Sequence, residues 1–138
     1  VSGLTPPVLS PVGEASHQNV AAEHMKPVWD AANSEIDIRY MPACAATDHT
    51  VYYGPISSVS SYGYAGAVCL GDATGTVSIA PPAENYFFVV VANNGDSEGS
   101  YGKDSSGAQR PEAVGVGSCD YDQDLSGTCD ATFRRYTK

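Results

Sequence analysis

The segment Gly95-Asp96-Ser97-Glu98-Gly99 fits the G-x-S-x-G pattern of a hydrolase nucleophile elbow. That motif works because a sharp strand-to-helix turn exposes the serine and lines up oxyanion donors. A strand-like run precedes it here, but the next eight residues, Ser100-Tyr101-Gly102-Lys103-Asp104-Ser105-Ser106-Gly107, are turn-rich and not helical. A chain of 138 residues also has no room for an α/β-hydrolase sheet. Asp48 and His49 are adjacent, which supplies no third group to orient a base. The sequence therefore predicts no catalytic residues, with Ser97 in a strand-to-strand loop.

The run Asp120-Tyr121-Asp122-Gln123-Asp124 spaces three carboxylates as in the first half of an EF-hand loop. Its second half fails, because Leu125 stands where glycine belongs and Ala131 where a bidentate glutamate belongs. Asp120, Asp122 and Asp124 are thus at most a weak calcium site, and no other cofactor is implied. His17, His24 and His49 would meet on a metal only if the N-terminal segment folded back, so all three are expected on the surface. Tyr52, Tyr62 and Tyr64 stand near Ser57, Ser58, Ser60 and Ser61. They form a possible ligand surface for polysaccharide or a neighbouring subunit, although half the tyrosines of a strand must point inward.

Four cysteines, Cys44, Cys69, Cys119 and Cys129, lack both a C-x-x-C pair and a histidine at zinc-ligand spacing. They read as two disulfides, and so as an oxidising, extracellular or cell-surface setting. Of the three connectivities, the sequence-local one, Cys44 with Cys69 and Cys119 with Cys129, is the expectation. The net charge of −9 disfavours nucleic acid and anionic membrane surfaces. The longest apolar run, Phe87 to Ala92, is far short of a membrane span. No basic segment followed by an apolar stretch opens the chain, so any secretion signal is expected to have been removed or to belong to a longer precursor.

The elements that would position these residues are strands. Glu35 to Tyr40 alternates strictly, with Ile36, Ile38 and Tyr40 on one face. Further strands are predicted at Thr50 to Tyr53, Gly75 to Ile79 and Tyr86 to Ala92. The last is apolar enough for a central strand covered on both sides. Fourteen glycines and nine prolines punctuate these runs, and no amphipathic helix is evident. The expectation is an all-β sandwich over residues 26–116, with an extended N-terminal arm at 1–25 and a disulfide-closed C-terminal extension at 117–138.

The stretches IDIRYMPACAATDHTVYYG, YAGAVCLG and YFFVVVANNGDSEGSYGKDSSGAQRP resemble the fibronectin type III-like modules of secreted bacterial multidomain proteins. The resemblance implies an immunoglobulin-like antiparallel sandwich in which an early strand carries an aromatic, Trp29 or Tyr40. It also implies a long Tyr/Phe/Val strand before a loop and a final edge strand. Such modules act as spacers, adhesive units or structural subunits, so the resemblance brings no catalytic residues.

Pro6, Pro7 and Pro11 favour an extended N-terminal segment, which serves either as a linker or as an arm. As an arm, Leu4, Val8, Leu9 and Val12 would contact the next subunit by strand addition at a sheet edge or groove. The prolines, lacking N–H groups, restrict how it pairs. A head-to-tail contact of that kind gives a fibre. The sequence thus leads to a non-enzymatic extracellular structural subunit partnered by copies of itself. The alternative is a secreted carbohydrate-binding or adhesive module.

Overall fold

The computed structural model describes residues 11–15, 25–69, 74–80 and 85–126. The fold is all-β. Eight strands follow in chain order: β1 (Lys26–Asp30), β2 (Glu35–Arg39), β3 (Asp48–Pro55), β4 (Gly66–Cys69), β5 (Thr76–Ile79), β6 (Tyr86–Asn93), β7 (Ser97–Glu98) and β8 (Asp122–Gln123). They form a three-stranded sheet, β1-β2-β5, and a five-stranded sheet, β4-β3-β6-β7-β8. The helical content among the described residues is one 3-10 turn, Ile56–Ser61, which stops at Tyr62 in the left-handed region. No helix among the described residues is long and apolar enough to cross a membrane.

Local chemistry sets the strand boundaries. Asp30 ends β1 by accepting hydrogen bonds through Oδ1 from the backbone N–H groups of Ala32 and Asn33. Its Oδ2 accepts from the Asn33 side chain at 2.8 Å, and the chain turns back into β2. At the end of β6, Asn94 Oδ1 accepts from the N–H groups of Asp96 and Ser97. Gly95 takes the left-handed φ of 82° that this turn requires.

The alternation in Glu35–Arg39 has the predicted result. Ile38 of β2 joins Val77 and Ile79 of β5 against Val51 of β3 and Val90 of β6, with Tyr40 and Ala15 completing the cluster. The two sheets therefore pack face to face through aliphatic side chains, each worth roughly 1.5–3 kcal/mol when fully buried. β6 is covered on its other face too. Val89 and Val91 pack with Tyr52, Tyr101 and Ala113, which places the chain after β7 over the outside of the large sheet as a further layer.

The covering layer also explains the disulfide. Cys69 of β4 pairs with Cys119, so the sequence-local connectivity is incorrect. The chain after Gly99 crosses the outer face and comes down beside β4. There Gly117 passes so close to Ala67 that an added Cβ would lie 3.0 Å from the alanine methyl. Nearness along the chain gives no information about which sheet edge this layer reaches. Cys44 is disulfide-bonded as well, and Cys129 lies outside the described residues.

Residues at both ends of the predicted sandwich join the same body. Val12, 3% exposed, packs on Ala43 and Ala92, and the Gly13 N–H donates to the Cys44 carbonyl at 3.2 Å. At the other end Asp122–Gln123 adds to β7 in parallel. Periodicity alone does not mark β1, β4, β7 and β8, which carry no strong period-two pattern.

Closing a loop of 50 residues by a disulfide stabilises by about 4 kcal/mol on the chain-entropy model, less native strain. The paired substitution Cys69→Ser with Cys119→Ser is therefore expected to lower unfolding free energy by about 2–4 kcal/mol in urea denaturation. Unchanged stability would show that the outer layer holds without its clamp.

Candidate functional site

The chemically capable side chains gather under this outer layer. β7 continues the large sheet for two residues, and that short pairing turns Glu98 into the protein, where it is fully buried. Two hydroxyls meet its carboxylate. Tyr52 of β3 donates to Oε2 at 2.8 Å and Tyr101 donates to Oε1 at 2.5 Å. Tyr52 OH also lies 3.4 Å from the Cys119 carbonyl and 3.4 Å from Asp120 Oδ1. A phenol has one proton, and the shorter distance assigns it to Glu98. The rings of Tyr52 and Tyr101 stack with centroids 5.2 Å apart, and Tyr64 tilts against both.

Tyr101 is held by a tight hairpin over residues 100–110. Ser100 Oγ accepts the Gly102 N–H and donates to Gln109 Oε1, while the Arg110 N–H donates to the Gly102 carbonyl. Arg110 Nη1 donates to the Tyr101 carbonyl at 3.0 Å. Gly102 has a φ of +87°, a backbone conformation that calls for glycine, and an added Cβ would sit 2.5 Å from that Nη1 and displace it. The turn-rich segment after Ser97 is thus the support of a buried tyrosine.

Electrostatics follow from burial. Removal from water pushes the Glu98 carboxyl from an ordinary 4.5 up to about 7. The two tyrosine hydroxyls oppose this by stabilising the carboxylate, and the negative charges of Asp120 and Glu112 add to it. Burial likewise pushes Tyr64 up to about 12 and raises Tyr52 and Tyr101 well above the usual phenol range. The cluster can keep or release one proton at Glu98. Glu98 and Tyr52 are fully buried and Tyr101 is 2% exposed.

The other predicted residues are dispersed. Tyr52 belongs to the core and not to a ligand surface, because the outer layer covers its face of the sheet. The Tyr64 hydroxyl donates to the Pro111 carbonyl at 2.9 Å. Tyr62, half-buried, sits below the Arg110 guanidinium at 6.0 Å. His49 is fully buried, contrary to expectation. Its Nε2 accepts the Ala43 N–H and its ring lies 4.7 Å from that of Tyr40. His17 and His24 lie outside the described residues. Ser97 is half-buried in a strand, its N–H held by Asn94.

Asp120 Oδ2 accepts the Val116 N–H, and Asp124 Oδ1 accepts from the backbone and hydroxyl of Ser126, while Asp122 is exposed. Asp120 and Asp124 each have a local hydrogen-bonding role. Among the described residues no group of three or more potential ligands is placed to hold a metal. Leu4, Val8 and Leu9 lie outside the described residues. Val12 is committed to its own subunit, because the chain from residue 11 to 15 is built into the core.

No family model, curated protein or solved structure matches this chain.

Sequence reasoning missed Glu98 and Tyr101. Glu98 sits in an acidic, glycine-flanked turn where a carboxylate looks solvated. Only the pairing of Asn93 with Glu98 turns it inward. Between about pH 4.5 and 7 the folded protein keeps a proton at Glu98 that the unfolded chain has released. Its stabilising contribution is thus full below about 4.5 and lost as pH rises through 7. The wild-type melting temperature is expected to fall from pH 5 to pH 8 more steeply than that of Glu98→Gln. The difference in slope should integrate to at most on the order of 3 kcal/mol. Parallel profiles for the two proteins would contradict the assignment.

Proposed function

We propose that the chain is a non-catalytic extracellular structural subunit that assembles with copies of itself through its N-terminal segment. The observation that carries this is the root of that segment. Val12 is buried on Ala43 and Ala92, and Ala15 joins the core between the sheets. The approach of the root to Gly99 leaves no room for a side chain, since an added Cβ would lie 2.5 Å from the Gly13 carbonyl oxygen. A linker needs no such seat. A root fixed in the body gives the preceding residues a defined point of departure, which suits an arm that must reach a particular surface.

Further support comes from how the reactive groups are used. Glu98, Tyr52 and Tyr101 hold the outer layer together, and disulfide bonds suit an oxidising exterior. A fibronectin type III-like sandwich is the fold that accompanies this role. The long Tyr/Phe/Val strand β6, the turn after it, and Tyr40 as the buried early aromatic agree with that resemblance. The strand that follows this turn is the two-residue β7, and the edge of the sheet on that side is the equally short β8. The alternative, polysaccharide binding, draws less support, because Tyr52 is buried and the Tyr64 hydroxyl is engaged.

The wild-type chain is expected to form polymers visible by electron microscopy and by sedimentation. Leu9→Asp should abolish them with no change in melting temperature. Gly99→Ala, which crowds the root, should destabilise the fold by about 1–3 kcal/mol and weaken assembly. A wild-type chain that sediments as a monomer at high concentration would refute the proposal.

A further inference from the structure

β6 is paired along its whole length on one side and, among the described residues, almost nowhere on the other. All eight of its residues, from Tyr86 to Asn93, pair with β3. On the far side, the strand pairing among the described residues is Asn93 with Glu98. The Gly99 N–H adds one bond, to the Ala92 carbonyl at 2.9 Å. In an antiparallel ladder the N–H and C=O of one residue point to the same side, and those of the next residue to the other. The Ala92 carbonyl points away from β3. The Asn93 carbonyl, which accepts the Thr47 N–H, points the other way. The N–H and C=O groups of Val90 and Phe88 therefore point, like Ala92, away from β3, where no strand among the described residues meets them.

This edge is not bare to bulk water. An open groove of about 530 Å³ runs beside Phe87 to Val90, with Met25 and Val59 in its wall. The three-stranded sheet is also incompletely covered. Trp29 pairs with Ile36, and cross-strand partners share a face, so Trp29 is on the core side of β1. It is nevertheless 57% exposed. That uncovered side starts next to Met25, which also lines the groove. Backbone groups that meet no strand among the described residues, beside apolar walls, form a template for one more strand.

We infer that the open edge of β6 receives residues 4–10 of a second copy of this chain. This inference rests on the proposed self-assembly and specifies the acceptor surface for it. The direction of the root argues against the same copy. Val12 lies at Ala92, whereas Glu14 and Ala15 line the groove, so the chain heads toward the groove only after residue 12. Residues 1–10 precede that point and would have to double back past their own root.

Sequence argues against the nine residues joining Ala15 to Met25. They include His17, Gln18, Asn19, Glu23 and His24, and Val20 is their one apolar residue larger than alanine. Residues 4–10 are uncharged and bring Leu4, Val8 and Leu9. Val8, Leu9 and Ser10 also keep their N–H groups despite the neighbouring prolines. Main-chain pairing of Val8 and Ser10 with Phe88 and Val90 would satisfy the edge. Donor and acceptor are different parts of the molecule, so the contact propagates head to tail.

The test uses the full chain carrying Val8→Asp and Leu9→Asp, whose own arm is disabled, and a synthetic peptide of residues 1–11. Fluorescence anisotropy should show saturable binding, and the same peptide with Leu9→Asp should bind at least tenfold more weakly. Hydrogen exchange at the Phe88 and Val90 amides should slow at least tenfold on saturation. Binding without protection at these amides would place the arm elsewhere and overturn the inference. Amides already protected in the peptide-free variant would assign the edge to the same chain, also overturning it. Failure of the peptide to bind while the wild-type chain still polymerises overturns the acceptor site and leaves the structural role standing. A wild-type monomer with freely exchanging Phe88 and Val90 amides overturns both.

Discussion

A strand covered on both faces must present apolar side chains in both directions, and one strand here meets that demand. β6 sends Phe88 and Val90 toward the three-stranded sheet and Phe87, Val89 and Val91 toward the outer layer. Its pairing with β3 joins the two apolar clusters into one body. Residues from the N-terminal root to the C-terminal strand pack against this pair or against what it supports. Val12 reaches Ala92, Tyr52 reaches Glu98, and Cys69 of β4 reaches Cys119.

The outer layer exists because β7 is short. A longer partner for β6 would have carried the chain along the sheet edge. Instead it leaves after Glu98, crosses the outer face and returns as β8. A polar hub under that layer would be unfavourable if unpaired, since a buried carboxylate needs partners. Two tyrosine hydroxyls supply them, and the disulfide to β4 holds the layer over the hub. The same abbreviation leaves Val90 and Phe88 with backbone groups directed away from β3. An internally fastened outer face and an edge that meets no further strand among the described residues thus have a single geometric origin.

Packing, charge and redox chemistry point the same way. Cross-linking and a buried hub both fasten the outer layer to the large sheet, and disulfides of this kind are stable in oxidising surroundings. The net charge of −9 opposes nonspecific contact between separate molecules.

Periodicity is a local property, and it determined the class of this fold. The alternation of Glu35 to Arg39 and the apolar run Tyr86 to Asn93 placed β2 and β6, and glycine and proline frequency excluded long helices. The four cysteines declared cross-linking, but which sulfurs meet depends on the path of the chain over the large sheet. That path is set by contacts between residues about fifty positions apart. The burial of His49 and Tyr52 and the inward turn of Glu98 were hidden for the same reason. Each residue type is ordinary on a surface, and only the layers above and below it decide whether water can reach it. Composition specified a cross-linked β protein; tertiary packing alone decided which of its polar groups became the hub and which sulfurs were joined.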